Sequence, residues 1–196
     1  MPMKLCGLTG GVGMGKSTAA GFLLQLGARV VDTDEIAREV VQSGQPALAE
    51  IQSQFGKEIL ASDGSLDRGA LAGIVFRDEA ARKKLEAILH PRIRERWLQQ
   101  IAAWRNENFA IGIVIIPLLF ETQAEASFGK IFCVACSPKS QLERLSKRGW
   151  TSEQSRQRIA AQMPVGQKMA RADYVLWSEG APEILRQQLA AVLPRL

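Results

Sequence analysis

Leu5-Cys6-Gly7-Leu8-Thr9-Gly10-Gly11-Val12-Gly13-Met14-Gly15-Lys16-Ser17-Thr18 decides the reading of this 196-residue chain. Residues 10–17 fit the phosphate-binding pattern G-x-x-x-x-G-K-[ST], preceded by an apolar strand-like run and followed by Ala19-Ala20-Gly21-Phe22-Leu23-Leu24, which reads as a helix. Each position has a separable reason. Glycines let the backbone curl so that successive N–H groups face phosphate oxygens without side chains in the way. Lys16 reaches the β- and γ-phosphates, Ser17 offers a hydroxyl to Mg²⁺, and the positive end of the helix faces the nucleotide. A glycine turn that merely opens a helix is the plainer alternative, and it does not require strand, loop and helix to fall in this order.

Working outward, β-rich apolar runs recur at 4–9, 28–32, 109–116, 129–136 and 174–177 and alternate with helical patterns. Near-continuous apolar strands separated by helices predict a five-stranded parallel sheet covered on both faces. The spacing is uneven. About seventy-five residues separate the second run from the third, far more than one crossover helix needs. That insertion shows helical patterns over 35–42, 47–55, 69–76 and 78–104, with turn chemistry at Ala61-Ser62-Asp63-Gly64-Ser65. His90-Pro91 is expected to kink or split the longest of them. A second, Arg- and Lys-rich helical insertion runs from Pro138 to about Met163, and a last helix covers roughly 181–193. The expected architecture is α/β, a P-loop NTPase three-layer fold with a helical substrate-binding insertion and a helical lid. As one kinase domain it divides into a core of about 1–34, 105–137 and 170–196, an insertion of about 35–104 and a lid of about 138–169.

Composition narrows the classes. At 46% apolar residues the chain can bury one good core. Its longest apolar run, Ala110-Ile111-Gly112-Ile113-Val114-Ile115-Ile116, is strand-length and ends at Pro117, so no membrane span is expected. Met1-Pro2-Met3-Lys4 leads straight into the first strand, so no signal peptide and a cytoplasmic location are expected. Three cysteines make no disulfide framework, and Cys133-Val134-Ala135-Cys136 lies inside an apolar strand with no second ligand pair, which reads as core. The net charge of +5 comes without a nucleic-acid-binding signature and suits a small polyphosphate ligand.

The loop after the second strand shares the sheet's carboxyl-end crevice with the phosphate loop, and there the chain reads Val30-Val31-Asp32-Thr33-Asp34. Asp34 is the candidate base for an attacking hydroxyl, and Asp32 a secondary group orienting water or magnesium. Alternatively, Thr33 or Asp34 caps the helix expected from Glu35. In the second insertion Arg144 and Arg148, four apart, share a helical face. They read as a lid bringing guanidinium donors to the phosphates, Arg144 first, or as a solvated basic face. The chain has no D-x-x-G or N-K-x-D for guanine and no L-S-G-G-Q, which leaves a metabolite kinase.

At this point the chain resembles the dephospho-CoA kinase family. Thr9-Gly10-Gly11 opens the loop, Asp32-Thr33-Asp34-Glu35-Ile36-Ala37-Arg38 follows strand two, and Leu66-Asp67-Arg68, Phe76, Leu85-Glu86, His90-Pro91 and Ile116-Pro117-Leu118-Leu119-Phe120-Glu121 follow in family order. So do Gln141-Leu142-Glu143-Arg144, Arg158-Ile159-Ala160-Ala161-Gln162-Met163-Pro164, Lys168 and Ala172-Asp173-Tyr174-Val175. The resemblance implies ATP on Gly11, Val12, Gly13, Met14, Gly15, Lys16, Ser17 and Thr18, the proton-accepting carboxylate at Asp34, and the lid arginine at Arg144. It also implies substrate contacts at Arg38, Arg68 and His90, with Asp32 beside them. The implied reaction phosphorylates the 3′-hydroxyl of dephospho-CoA with ATP and Mg²⁺. The implied partner is that small molecule alone, with no nucleic acid or membrane, on a monomeric or weakly self-associating chain. For His90 a buried imidazole ordering the Pro91 bend is the other reading. One departure is visible: where such proteins usually place an Asn, this chain has Trp177-Ser178-Glu179-Gly180, which leaves backbone contacts for adenine. Shikimate kinase shares the loop and the paired aspartates, but its later Gly-Gly-Gly turn is absent. A nucleotide-binding module without turnover is the other alternative.

Overall fold

A computed structural model describes residues 2–75 and 77–196; Phe76, the end of the helix expected over 69–76, lies outside the described residues. The strands are β1 (Lys4–Gly10), β2 (Arg29–Asp32), β3 (Ile111–Ile115), β4 (Lys130–Ala135) and β5 (Tyr174–Trp177). Among the described residues they form one parallel sheet in the order β2-β3-β1-β4-β5. The expected parallel α/β sheet is therefore the one observed. The chain leaves β1 toward β2 but leaves β3 toward β4, on the other side of β1. The loops after β1 and β3 thus diverge at one switch point, where open α/β sheets hold their ligands.

Contacts group the chain into two compact units, Met1–Asp32 with Ala103–Leu196, and Thr33–Ala102. In the first, even-numbered positions of β1 and β4 face a core of Cys6, Leu8, Phe132 and Val134 with Ile113, Ile115 and Leu176. Helices α1 (Lys16–Gln25) and α9 (Pro182–Val192) close that face with Leu23, Leu185 and Leu189. Burying a leucine of this kind stabilises by roughly 2 kcal/mol. Helices α6 (Pro138–Lys147) and α7 (Ser152–Ala160) fall in the basic second insertion, and α8 (Val165–Arg171), which follows it, packs against β1 and β4. Thr151 and Gln154 form a reciprocal capping box that starts α7, and Pro164 starts α8.

The second unit contains α2 (Thr33–Glu39), α3 (Pro46–Phe55), α4 (Arg68–Val75) and most of α5 (Glu79–Asn106). The expected turn at 61–65 closes with Gly64 at φ 78° and Asp63 accepting the Ser65 N–H at 2.9 Å. Pro91 does not split α5, which stays helical through it. A proline there removes one ladder donor and crowds the turn before it. Beside it, the Arg92 guanidinium donates to the Ile88 carbonyl at 2.7 Å and pairs with Glu50 of α3 at 2.6 Å.

Candidate active site

The phosphate loop follows β1 without a break, and its geometry explains its glycines. Gly10 has φ 144°, and a Cβ there would lie 2.2 Å from the Val134 carbonyl oxygen of the neighbouring strand. No side chain fits between the strands at that point. Gly13 and Gly15 take φ 75° and 94°. Lys16 opens α1 and folds over the loop, its ammonium donating to the carbonyls of Gly10 at 2.8 Å and Gly11 at 3.0 Å. Ser17 and Thr18 are exposed in the first turn of α1.

The basic insertion grips this loop. Gln141 of α6 donates to the Val12 carbonyl at 2.8 Å, while Gln162, just past α7, accepts the Val12 N–H at 2.9 Å. One residue of the phosphate loop is therefore clamped through both its backbone groups. Arg144 of α6 donates through Nη1 to Ser178 Oγ at 2.9 Å and through Nη2 to the Ser178 carbonyl. Ser178 in turn donates to the Met14 carbonyl at 2.7 Å. Glu179 holds the other end of α6, accepting from the Ser137 N–H and hydroxyl, both at 2.9 Å, and from the Ser140 hydroxyl. These donors, the Ser137 amide first, hold the Glu179 carboxyl below the usual carboxylate range. Arg148 was expected on the same helical face as Arg144; instead α6 ends at Lys147 and Arg148 is its C-cap. Both arginines nevertheless line a cavity of about 390 Å³ together with Gly13, Gly15, Thr18 and Ser178. Arg144 thus sits beside the loop glycines Gly13 and Gly15.

A second network braces the end of β3. Lys168 of α8 has no exposed side-chain surface and donates to Glu121 at 2.8 Å and to the Pro117 carbonyl at 2.6 Å. Thr9 donates to the same carbonyl at 3.2 Å, and Glu121 also accepts the Met163 N–H at 2.8 Å. Burial alone would raise the Glu121 carboxyl, but the Lys168 ammonium and the Met163 amide outweigh it and leave it below its ordinary value. A buried ammonium requires such a partner. Sequence reasoning registered Glu121 and Lys168 only as family markers. The signal available was a lone lysine in a segment that must pack on the sheet.

Asp32 closes β2. Helix α2 starts at Thr33, two residues before the expected Glu35, so Asp34 lies in its first turn and the preceding position is Asp32. A carboxylate there complements the helix dipole whatever else it does. Arg38, one turn after Asp34, is exposed on the same helix. In Leu66-Asp67-Arg68 the aspartate caps α4, accepting from the Gly69 and Ala70 N–H groups at 2.9 Å, and Arg68 is exposed. His90 is exposed on α5, which corrects the reading of a buried imidazole ordering the Pro91 bend. Cys133 and Cys136 are buried thiols, Cys133 pushed up to about 11 by burial, as inert core cysteines should be. Asp173 accepts from Lys130 and from the Ile131 N–H, both at 2.8 Å, so the Ala172-Asp173-Tyr174-Val175 marker anchors the start of β5.

Comparison with known proteins agrees with this geometry over nearly the whole chain. The family model described as dephospho-CoA kinase matches residues 4–183. A dephospho-CoA kinase of Geobacillus kaustophilus is 43% identical over 188 residues, covering 95% of this chain and 94% of that relative. A solved structure from Thermus thermophilus superposes with a TM-score of 0.87 at 33% identity, over 100% of this chain and 99% of the other. A dephospho-CoA kinase from Campylobacter jejuni gives 0.71 at 30% identity over 97% and 96%. Likeness to a shikimate kinase from Bacteroides thetaiotaomicron, 18% identical with a TM-score of 0.52 over 98% and 99%, is one of fold alone. The high-identity matches span the insertion and the lid as well as the loop, so this chain belongs to the dephospho-CoA kinase family, kinases that transfer phosphate to an alcohol group.

Proposed function

We propose that the chain transfers the γ-phosphoryl group of ATP to the 3′-hydroxyl of dephospho-CoA, giving coenzyme A and ADP. The observation that carries the donor half is the phosphate loop with Lys16 across it and Arg144 held against its glycines beside a cavity. Family membership supplies the acceptor. In the transfer, the ribose oxygen forms a bond to the γ-phosphorus as the bond from that phosphorus to the β–γ bridging oxygen breaks. Asp34 takes the hydroxyl proton, and the electron pair leaves on ADP. Lys16 and Arg144 meet charge that grows on the phosphoryl oxygens and the leaving group.

Ser17 fits a role at Mg²⁺: its hydroxyl is exposed in the first turn of α1, beside Lys16. Mg²⁺ keeps several waters and takes few protein ligands alongside substrate phosphates, so a single hydroxyl suffices. The ion would neutralise phosphate charge. Arg38 and Arg68 are proposed for the anionic groups of dephospho-CoA, with His90 and Asp32 as further contacts. Among the described residues no helix is long and apolar enough to cross a membrane. The test is ADP release with Mg-ATP against dephospho-CoA, shikimate and nucleosides. A dephospho-CoA rate no higher than the acceptor-free control would overturn the reading.

A further inference from the structure

We infer that Ser178 is a positioning residue that sets the lid arginine against the phosphate loop. The position is 8% exposed and lies just past β5. Its hydroxyl works in both directions, donating to the Met14 carbonyl at 2.7 Å and accepting from Arg144 Nη1 at 2.9 Å, while its carbonyl accepts from Nη2. Two contacts from one residue to two nitrogens of the guanidinium fork define the plane of that group, which a single contact would leave free to turn. The hydroxyl then ties that plane to the loop itself, two residues before Lys16. Hydrogen bonds chained in this way polarise and strengthen one another.

Gly15 shows how close the fit is. A Cβ there would lie 3.0 Å from Ser178 Oγ and 3.5 Å from Arg144 Nη1. The arginine therefore rests on the backbone that leads into Lys16, with further N–H donors left for phosphate oxygens. Helix α6 has separate anchors at Glu179 and Gln141, so loss of the Ser178 hydroxyl leaves the guanidinium on the Ser178 carbonyl alone, free to turn, without undocking the helix. Beside Gly15 the Ser178 hydroxyl both donates and accepts at one atom.

The inference rests on Arg144 acting in phosphoryl transfer, and a double-mutant cycle separates the two. Steady-state kinetics with dephospho-CoA and Mg-ATP would compare the wild type, Ser178→Ala, Arg144→Ala and the double variant. Ser178→Ala is expected to lower kcat about tenfold with little change in the KM for dephospho-CoA, since misplacing a catalytic group by about an ångström costs up to about a hundredfold. Ser178→Thr, which keeps the hydroxyl, should retain most of the activity. The double variant should be no slower than Arg144→Ala alone, because residues acting through one another are not additive. Multiplying losses, or a Ser178→Ala kcat within about twofold of wild type, overturns the role of Ser178 and leaves Arg144 standing. Near-normal kcat in Arg144→Ala overturns the lid reading and the inference with it. Should Ser178→Ala fail to fold, Ser178→Cys, with its weak acceptor, carries the same comparison.

Discussion

Around the phosphate loop, groups are held by partners of known geometry: the Lys16 ammonium by two carbonyls, the Val12 backbone by two glutamines, and the Arg144 guanidinium by the hydroxyl and carbonyl of Ser178. In the unit covering Thr33–Ala102, the residues assigned to the acceptor, Asp34, Arg38, Arg68 and His90, are exposed on helices whose interior faces are apolar. Stabilising a triphosphate's growing charge requires dipoles aimed before the reaction begins, because reorientation during it costs energy. Residues that capture an acceptor can be ordered by the acceptor itself. The first region should therefore respond to mutation through rate and stability together, the second through rate or affinity with the fold intact.

The largest effect expected is on the acceptor side. Asp34→Asn should lower kcat by about 10²- to 10⁴-fold while ATP affinity by calorimetry stays nearly wild type. Near-normal turnover would return Asp34 to complementing the α2 dipole, and a parallel loss of ATP affinity would break the comparison. Next comes Lys168→Met, which removes the buried ammonium from Glu121 and from the Pro117 carbonyl at the end of β3 and should cost about 1–3 kcal/mol in urea denaturation. Its counterpart, Arg68→Ala, should stay within about 0.5 kcal/mol while raising the KM for dephospho-CoA. If the two variants destabilise alike, the division between braced and exposed residues does not hold.

The Val12 clamp gives a smaller, polarity-specific test. Gln162 accepts from Val12 and Gln141 donates to it, so Gln162→Glu keeps its bond whereas Gln141→Glu sets a carboxylate against a carbonyl. Gln141→Glu should lose about 1–3 kcal/mol more stability than Gln162→Glu by thermal denaturation. Equal losses would mean that added charge, and not the clamp, decides the outcome. The smallest effect is in pH. Glu121 is held below its ordinary value of 4.5, so its contribution to stability is present above that value and disappears as pH falls through the folded one. Relative to wild type, Glu121→Gln should show a shallower loss of stability below about pH 4.5 in acid titration followed by circular dichroism.

How legible each region was in the sequence follows from the same difference. The strands were readable within a residue or two because parallel strands buried on both faces leave continuous apolar runs, and Gly10 to Ser17 was readable because backbone curvature demands glycine at fixed offsets. Asp34 was readable as a carboxylate at a strand end, though α2 began earlier than its apolar period indicated. The braces were not readable. Gln141, Gln162, Ser178 and Glu179 lie far from the loop in the chain, and nothing in their local pattern says that they meet it. The split expected at Pro91 does not occur: a proline's missing N–H is visible locally, while the continuity of α5 through it is not.

By itself, then, the sequence determined the sheet, the phosphate loop and the class of chemistry, all set by local backbone demands and the periodicity of burial. Only the tertiary structure decided which side chains hold the loop and Arg144 in place, that His90 is exposed, and that the buried Lys168 meets Glu121 at the surface. Those facts depend on hydrogen bonds between residues distant in the chain, and a buried polar group takes whichever partner folding brings to it.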